Sequence, residues 1–278
     1  MSRQPRTKSV WDTRIRRATE LISSYPFAAE GLRFYAQIAM LQQSLYGEVE
    51  QEPSLFFSPH GPLLDQLNPA ALIPRFSAFL ANIQRFAPSA LAQAARGLAQ
   101  KDSASRSRVV EEFWGSQGSR SEAGEEASIL TERYFAWLFL QPCAEYMAAK
   151  RTGVLSDGNL TQCPSCGSNP IVGVLRPEGD GARKSLVCML CAHEWVFRRI
   201  YCPACGEERE SHMAFYTAPE IPHLRVDVCD TCQTYLNCVD LTKTGLAVPV
   251  VDELAALPLD LWAREKGYHK LQMNAVGM

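Results

Sequence analysis

The chain has 278 residues, 46% of them hydrophobic, and a formal net charge of -2. That length and apolar content exclude wholesale disorder and leave room for one large domain or two ordinary ones. The near balance of charge argues against a nucleic-acid binder, which ordinarily carries a basic surplus.

The first twenty residues hold six Arg/Lys against Asp12 and Glu20. No apolar segment follows those charges, so no secretory leader is expected, and the Arg16-Arg17 pair lacks the setting of a twin-arginine signal. This start reads as a solvated, partly frayed end. Residues 12–24 then place Ile15, Ala18, Leu21 and Ile22 on one helical face. Tyr25-Pro26 breaks the helix, and residues 28–46 resume it with Leu32, Tyr35, Ile38, Ala39 and Leu45 as the apolar stripe. Residues 51–62 read as a loop from their Pro and Gly content. A helix is expected over 69–85, with Pro74 in its first turn, and an Ala-rich one over 88–100.

Residues 101–125, dominated by Ser, Gly and charge, read at least in part as a mobile connection. Residues 126–150 are apolar nearly all round, as in the central helix of a bundle, with Pro142 expected to kink or restart it. The aromatic-rich run from Tyr134 to Leu140 is far shorter than the roughly twenty residues that span a bilayer. A soluble, cytoplasmic protein without a membrane partner is expected. Near residue 153 glycines and short β-branched runs take over. Candidate strands are 171–175, 185–188, 195–201, 213–217 and 224–228. The tail returns to helix over 252–266, interrupted by Pro258.

Nine of the ten cysteines fall between 163 and 238; Cys143 stands apart. In a reducing compartment such clustering means metal binding or thiol chemistry rather than structural disulfides. Eight of them form the pairs Cys163/Cys166, Cys188/Cys191, Cys202/Cys205 and Cys229/Cys232. CPSCG at 163–167 repeats as CPACG at 202–206, and VCMLC at 187–191 as VCDTC at 228–232. A repeat near forty residues points to duplication of one small unit with zinc-ribbon or rubredoxin-like spacing. The repeat favours sequential pairing of the knuckles. A nested set would join the second and third pairs across AHEWVFRRIY, which reads as a strand holding them apart; nested and interleaved sets stay open at this level.

The fold expected is therefore α+β: an all-helical N-terminal domain (1–152), a first four-cysteine ribbon (153–198), a second (199–245), and a C-terminal helix and tail (246–278). Two metal ions in tetrathiolate sites follow, and neither ribbon should fold without its metal. Spacing alone does not choose zinc or iron. Only the first knuckle of each ribbon has the CPxCG form, which suits a structural role better than dedicated electron transfer. Cys143 and Cys238 read as small buried hydrophobes. His193, His212 and His223 read as ordinary surface or loop histidines. The run Glu207, Glu208, Glu210 reads as a solvated turn, and Arg198-Arg199 as part of a strand. Residues 163–240 hold seven Lys/Arg against ten Asp/Glu, which again disfavours nucleic acid. No Walker-type loop or GxSxG elbow is present.

CPSCGSNPIVGVL, SLVCMLCAHEWVFRRIYCPACG and VDVCDTCQTYLNCVDL closely resemble the formate dehydrogenase accessory protein family (FdhE). The tail DELAALPLDLWAREKGYHKLQMN and the segment RRATELISSYPFAAEGLRFYAQIAMLQQSLY are similar to its C-terminal and N-terminal regions. The resemblance implies a non-enzymatic cytoplasmic factor required for formate dehydrogenase activity, with the enzyme's catalytic subunit as partner. It also implies iron at the eight cysteines, with zinc as the alternative. A homodimer is compatible with this expectation. The rival expectation is an iron-tetrathiolate electron-transfer or sulfur-handling protein.

Overall fold

The computed structural model describes residues 9–57, 67–116, 126–150 and 160–278. The fold is a helical N-terminal region followed by a sheet that carries two four-cysteine clusters and ends in a C-terminal helix. Helix α1 (Val10–Ser24) starts on a capping box: Ser9 Oγ accepts from Asp12 N–H, and the Asp12 carboxylate accepts from Ser9 N–H. Residues 9–20 are thus an ordered helix start rather than a frayed end. Arg14 is buried over the Trp11 ring and donates to Glu145 at 2.7 Å; residues 1–8 lie outside the described residues. Helix α2 (Ala29–Gln51) runs one turn further than its apolar stripe indicates. The expected loop that follows holds a short helix, α3 (Pro53–Phe56).

Helices α4 (Pro69–Ile83) and α5 (Ser89–Gln100) match expectation, except that Pro74 sits in the second turn of α4 and Pro69 opens it. Within the stretch 101–125, read in part as a connection, residues 103–115 form a helix: α6 (Ser103–Gly115) is capped by Asp102, whose carboxylate accepts from Ser105 N–H at 2.7 Å. Composition concealed it because only Val110, Phe113 and Trp114 face inward. Residues 117–125 lie outside the described residues.

Helix α7 (Ala127–Lys150) is the centre of the bundle and packs against α2, α4, α5 and α6. It passes through Pro142 as one helix. Proline lacks the N–H that would bond the carbonyl four residues back, Leu138. Gln42, buried on α2, supplies the missing donor: its Nε2 lies 2.8 Å from Leu138 O. Gln42→Leu is expected to leave that buried carbonyl unpaired and lower stability by about 1–3 kcal/mol. Urea titration would check it, and an unchanged midpoint would remove Gln42 from the account of the helix.

The C-terminal half builds one sheet, not two. Its strands are β1 (Pro170–Glu178), β2 (Gly181–Cys188), β3 (Glu194–Val196), β4 (Met213–Thr217), β5 (Leu224–Cys229), β6 (Thr234–Asp240) and β7 (His269–Lys270). The order is β3-β2-β1-β6-β5-β4, with β7 alongside β6. Each repeat contributes an antiparallel three-stranded unit, and the units join where β1 runs parallel to β6. At that seam Gly173 faces Cys238, and a Cβ on Gly173 would stand 3.1 Å from the Cys238 sulfur. Both residues must be small for the strands to approach. Strand β3 ends at Val196, short of the run expected to reach 201, so Arg198 and Arg199 lie on the connection to the next knuckle. Strand β6 lies outside the candidate strands of the sequence, because its buried Asn237 breaks the apolar pattern. Helices α8 (Pro249–Asp252) and α9 (Leu257–Glu265) fill the expected tail helix, separated by a short 3-10 turn.

Candidate metal centres

Each repeat brings its two knuckles together across the base of its own strands. Cys163, Cys166, Cys188 and Cys191 form one set of sulfurs, and Cys202, Cys205, Cys229 and Cys232 the other, with the four sulfurs of each set within 4.8 Å of one another. The knuckles therefore pair sequentially, as the repeat suggested. In the first set the Cys163–Cys191, Cys166–Cys188 and Cys166–Cys191 sulfurs stand 3.5, 3.4 and 3.4 Å apart. In the second, Cys202–Cys232 and Cys205–Cys229 are both 3.7 Å apart. Sulfurs about 2.3 Å from a tetrahedral ion lie about 3.8 Å apart, whereas bonded sulfurs lie about 2.0 Å apart. The spacings fit an enclosed ion and not disulfides, so both clusters can hold a metal.

One turn geometry serves all four knuckles. The residue after each second cysteine has positive φ: Gly167 at 74°, Ala192 at 53°, Gly206 at 76° and Gln233 at 54°. Only two of these are glycine, so the plainer second knuckles adopt the same left-handed turn at a modest conformational cost. The turn aims backbone N–H groups at sulfur. Ser165 N–H donates to Cys163, Leu190 N–H to Cys188 and Ala204 N–H to Cys202, at 3.3–3.4 Å. Hydrogen bonds from Cys163, Cys188 and Cys191 hold the Cys166 thiol far below the ordinary range, while burial pushes Cys188 up. Four thiolates at this spacing repel one another, and a cation among them relieves that repulsion.

The surroundings of the two sets differ. The second knuckle of the first set carries Met189 and Leu190, both buried, and Met189 O accepts from Trp137 Nε1 of α7 at 2.9 Å. The matching knuckle of the second set carries Asp230 and Thr231, both exposed. Glu207 fastens this set from outside. Its carboxylate accepts from Arg209, from Thr231 Oγ and from the N–H groups of Glu208 and Arg209, and Arg209 and Thr231 hold it well below the ordinary carboxylate range. The acidic run is therefore not simply a solvated turn, because its first member ties the loop down.

Neither cluster contains a histidine. His212 Nδ1 lies 2.9 Å from Thr231 Oγ, and His223 is buried with its Nε2 3.0 Å from Asp252. His223 is thus no surface residue; it belongs to an ion-pair network joining the sheet to α1. Cys143 and Cys238 are buried, and burial raises each thiol to about 12, as suits packing groups.

Between the helical half and the tail lies a cavity of about 980 Å³, lined among others by Phe27, Phe34, Leu91, Leu130, Met273 and Val276. Ala204, inside the second cluster's first knuckle, also borders it. The sequence pattern did not disclose it, because its walls come from segments more than a hundred residues apart.

Comparison with known proteins follows the same division of the chain. Residues 162–199 match the model of the FdhE central domain, and residues 200–276 that of the FdhE C-terminal domain. An FdhE homolog from Aquifex aeolicus is 33% identical over 147 residues, covering 52% of each chain. One from Pseudomonas putida is 32% identical over 150 residues, covering 52% of this chain and 45% of that one. The match thus spans about half the length of these curated relatives. The crystal structure of the FdhE protein from Pseudomonas aeruginosa aligns over 99% of this chain and 97% of its own, with a TM-score of 0.70 and 25% identity.

Proposed function

Because the chain belongs to the FdhE family, we propose that it serves formate dehydrogenase as a non-enzymatic accessory factor in the cytoplasm, binding the catalytic subunit during assembly. The observation that carries this reading is the whole-length likeness to an FdhE structure, together with eight cysteines gathered into two metal-sized tetrahedra. None of the described helices is long and apolar enough to cross a membrane.

In this reading Cys163, Cys166, Cys188 and Cys191 hold one ion, and Cys202, Cys205, Cys229 and Cys232 the other. Iron is the metal the family resemblance implies, with zinc the alternative. A bound ion supplies a four-point cross-link, to which iron adds one-electron exchange. The residues around the ions set the shape of the recognition surface. Knuckle N–H groups fix the sulfurs, Trp137 ties the first cluster to the bundle, and Tyr134 Oη donates to Ala275 O at 2.7 Å to hold the tail against α7. The apolar cavity between these parts suits an apolar segment of the catalytic subunit, which would meet the bundle, the tail and the second cluster together.

The test is capture of the formate dehydrogenase catalytic subunit from anaerobic extract by the full chain, with the bound protein identified by mass spectrometry. Capture is expected to fail with Cys229→Ser and Cys232→Ser together. Undiminished formate dehydrogenase activity in a strain lacking this chain would overturn the proposal. The exposure of Cys205 favours a second reading, electron transfer at an iron tetrathiolate, for which the sign is a reversible ferric-thiolate spectrum with turnover on an acceptor.

A further inference from the structure

The two clusters share a sequence frame and a turn geometry, yet they meet solvent differently. All four cysteines of the first set are buried. In the second, Cys205 is exposed, Cys232 is half-buried, and only Cys202 and Cys229 are buried. The cause lies between the cysteines. Met189 and Leu190 fill the second knuckle of the first set and pack under α7, where Trp137 and Gln141 both donate to Met189 O. Trp195, from β3, donates its Nε1 proton to Leu160 O and closes the other side. Asp230 and Thr231 replace Met189 and Leu190 in the second set. They turn to Tyr268, His212 and Glu207, all through exposed hydrogen bonds, and both stay exposed.

A tetrathiolate ion exchanges when an incoming donor reaches it and a protein sulfur leaves. The first cluster's four cysteines are all buried, so among the described residues a donor reaches its ion only when the surrounding packing opens. The second offers an approach at Cys205 without any change of fold. Resting on the reading of both clusters as metal sites, we propose that they are inequivalent: the first is a permanent cross-link, and the second is an exchangeable site for a thiolate-seeking divalent ion, with Cys205 as the ligand that opens it. In the exchange the metal–Sγ bond of Cys205 breaks as a bond to the incoming donor forms, and the freed thiolate takes a proton from solvent. The charge on the ion is unchanged, so no oxidant or reductant is needed.

The full chain loaded with two zinc ions, as counted by native mass spectrometry, would be challenged with the chromophoric chelator 4-(2-pyridylazo)resorcinol and iodoacetamide together. One ion should leave at least about tenfold faster than the other. Peptide mapping of the partly depleted protein should find alkylation at Cys205 first, then at Cys202, Cys229 and Cys232, with Cys163, Cys166, Cys188 and Cys191 protected. Cys205→Ser should retain one slow ion, and the kinetics of the unaltered chain stand as a test even if that variant misfolds. Equal release rates, or earlier alkylation of the first set, overturn the inequivalence and leave the metal sites in place. A chain that takes up no zinc overturns the metal reading itself.

Discussion

Replacing Cys188 with serine is expected to abolish the sheet while leaving much of the helical signal. Cys188 ends β2, accepts N–H groups from Leu190 and Cys191, and lies 3.4 Å from Cys166 in the fully buried cluster. Ion binding in small structural tetrathiolate or related sites contributes about 10–16 kcal/mol. That matches or exceeds the about 5–15 kcal/mol that ordinarily separates a folded domain from its unfolded chain. The strands carry polar groups in their interior, such as Asn237 and Lys184, which an apolar core alone would not favour. One apolar core runs from the bundle into the sheet, but the bundle's aromatic contacts, such as Phe76 and Phe79 against Phe139, involve no metal ligand. Far-UV circular dichroism with metal counting would check this. A chelated or Cys188→Ser chain that kept its β-signal and the protection of its β1, β2 and β6 amides would falsify the dependence.

Asp252→Ala is the second large effect, and it acts between the two halves. The carboxylate is fully buried. It accepts two hydrogen bonds from Arg17 of α1, at 2.9 and 2.5 Å, one from Val248 N–H at 2.7 Å, and lies 3.0 Å from His223 Nε2. Truncation leaves the buried His223 imidazole without this partner and the partly buried Arg17 with Glu20 alone, a loss of about 1.5–3 kcal/mol. Burial pushes the Asp252 carboxyl up, but hydrogen bonds from Arg17 and His223 outweigh it and hold the group below its ordinary value. A carboxyl depressed in the folded state stabilises at pH above its unfolded value, near 4, and that contribution is lost as pH falls through the folded value. The gap between wild type and Asp252→Ala should therefore be full at pH 7 and narrow below about pH 4. Urea unfolding at both pH values measures it, and a gap that stays constant to pH 3 would mean the ion pair is not its source.

A second buried network ties the tail to the sheet. Lys270 reaches Glu253 and Asp260, and Asn237 and Asn274 donate to the same two carboxylates or one of them. These contacts explain why the tail packs as it does. They also explain how β6 tolerates Asn237: its amide meets Glu253 and Asp260 in place of water. A polar residue in a strand looks like a break when read alone, and it becomes a core residue only once its partners, from 16 and 23 positions away, are in place.

The features legible in the sequence are those that chemistry writes locally. The eight cysteines, their sequential grouping and the knuckle turns follow from spacing and repetition, because a two-residue gap aims both sulfurs at one point wherever it occurs. The 3.6-residue periodicity located α1, α2, α4 and α5, and the all-round apolar character of 127–150 marked the bundle's centre. Three features had to wait for the tertiary structure. Pro142 stays within one helix because Gln42, a hundred residues earlier, replaces the hydrogen bond that proline cannot make. The ribbons merge because Gly173 and Cys238 let β1 and β6 approach. The clusters diverge in exposure because α7 holds Met189 in the second knuckle of one, while Asp230 and Thr231 in the matching knuckle of the other stay exposed. In each case the deciding partner is remote along the chain, and a contact between distant segments leaves no periodic trace in either of them.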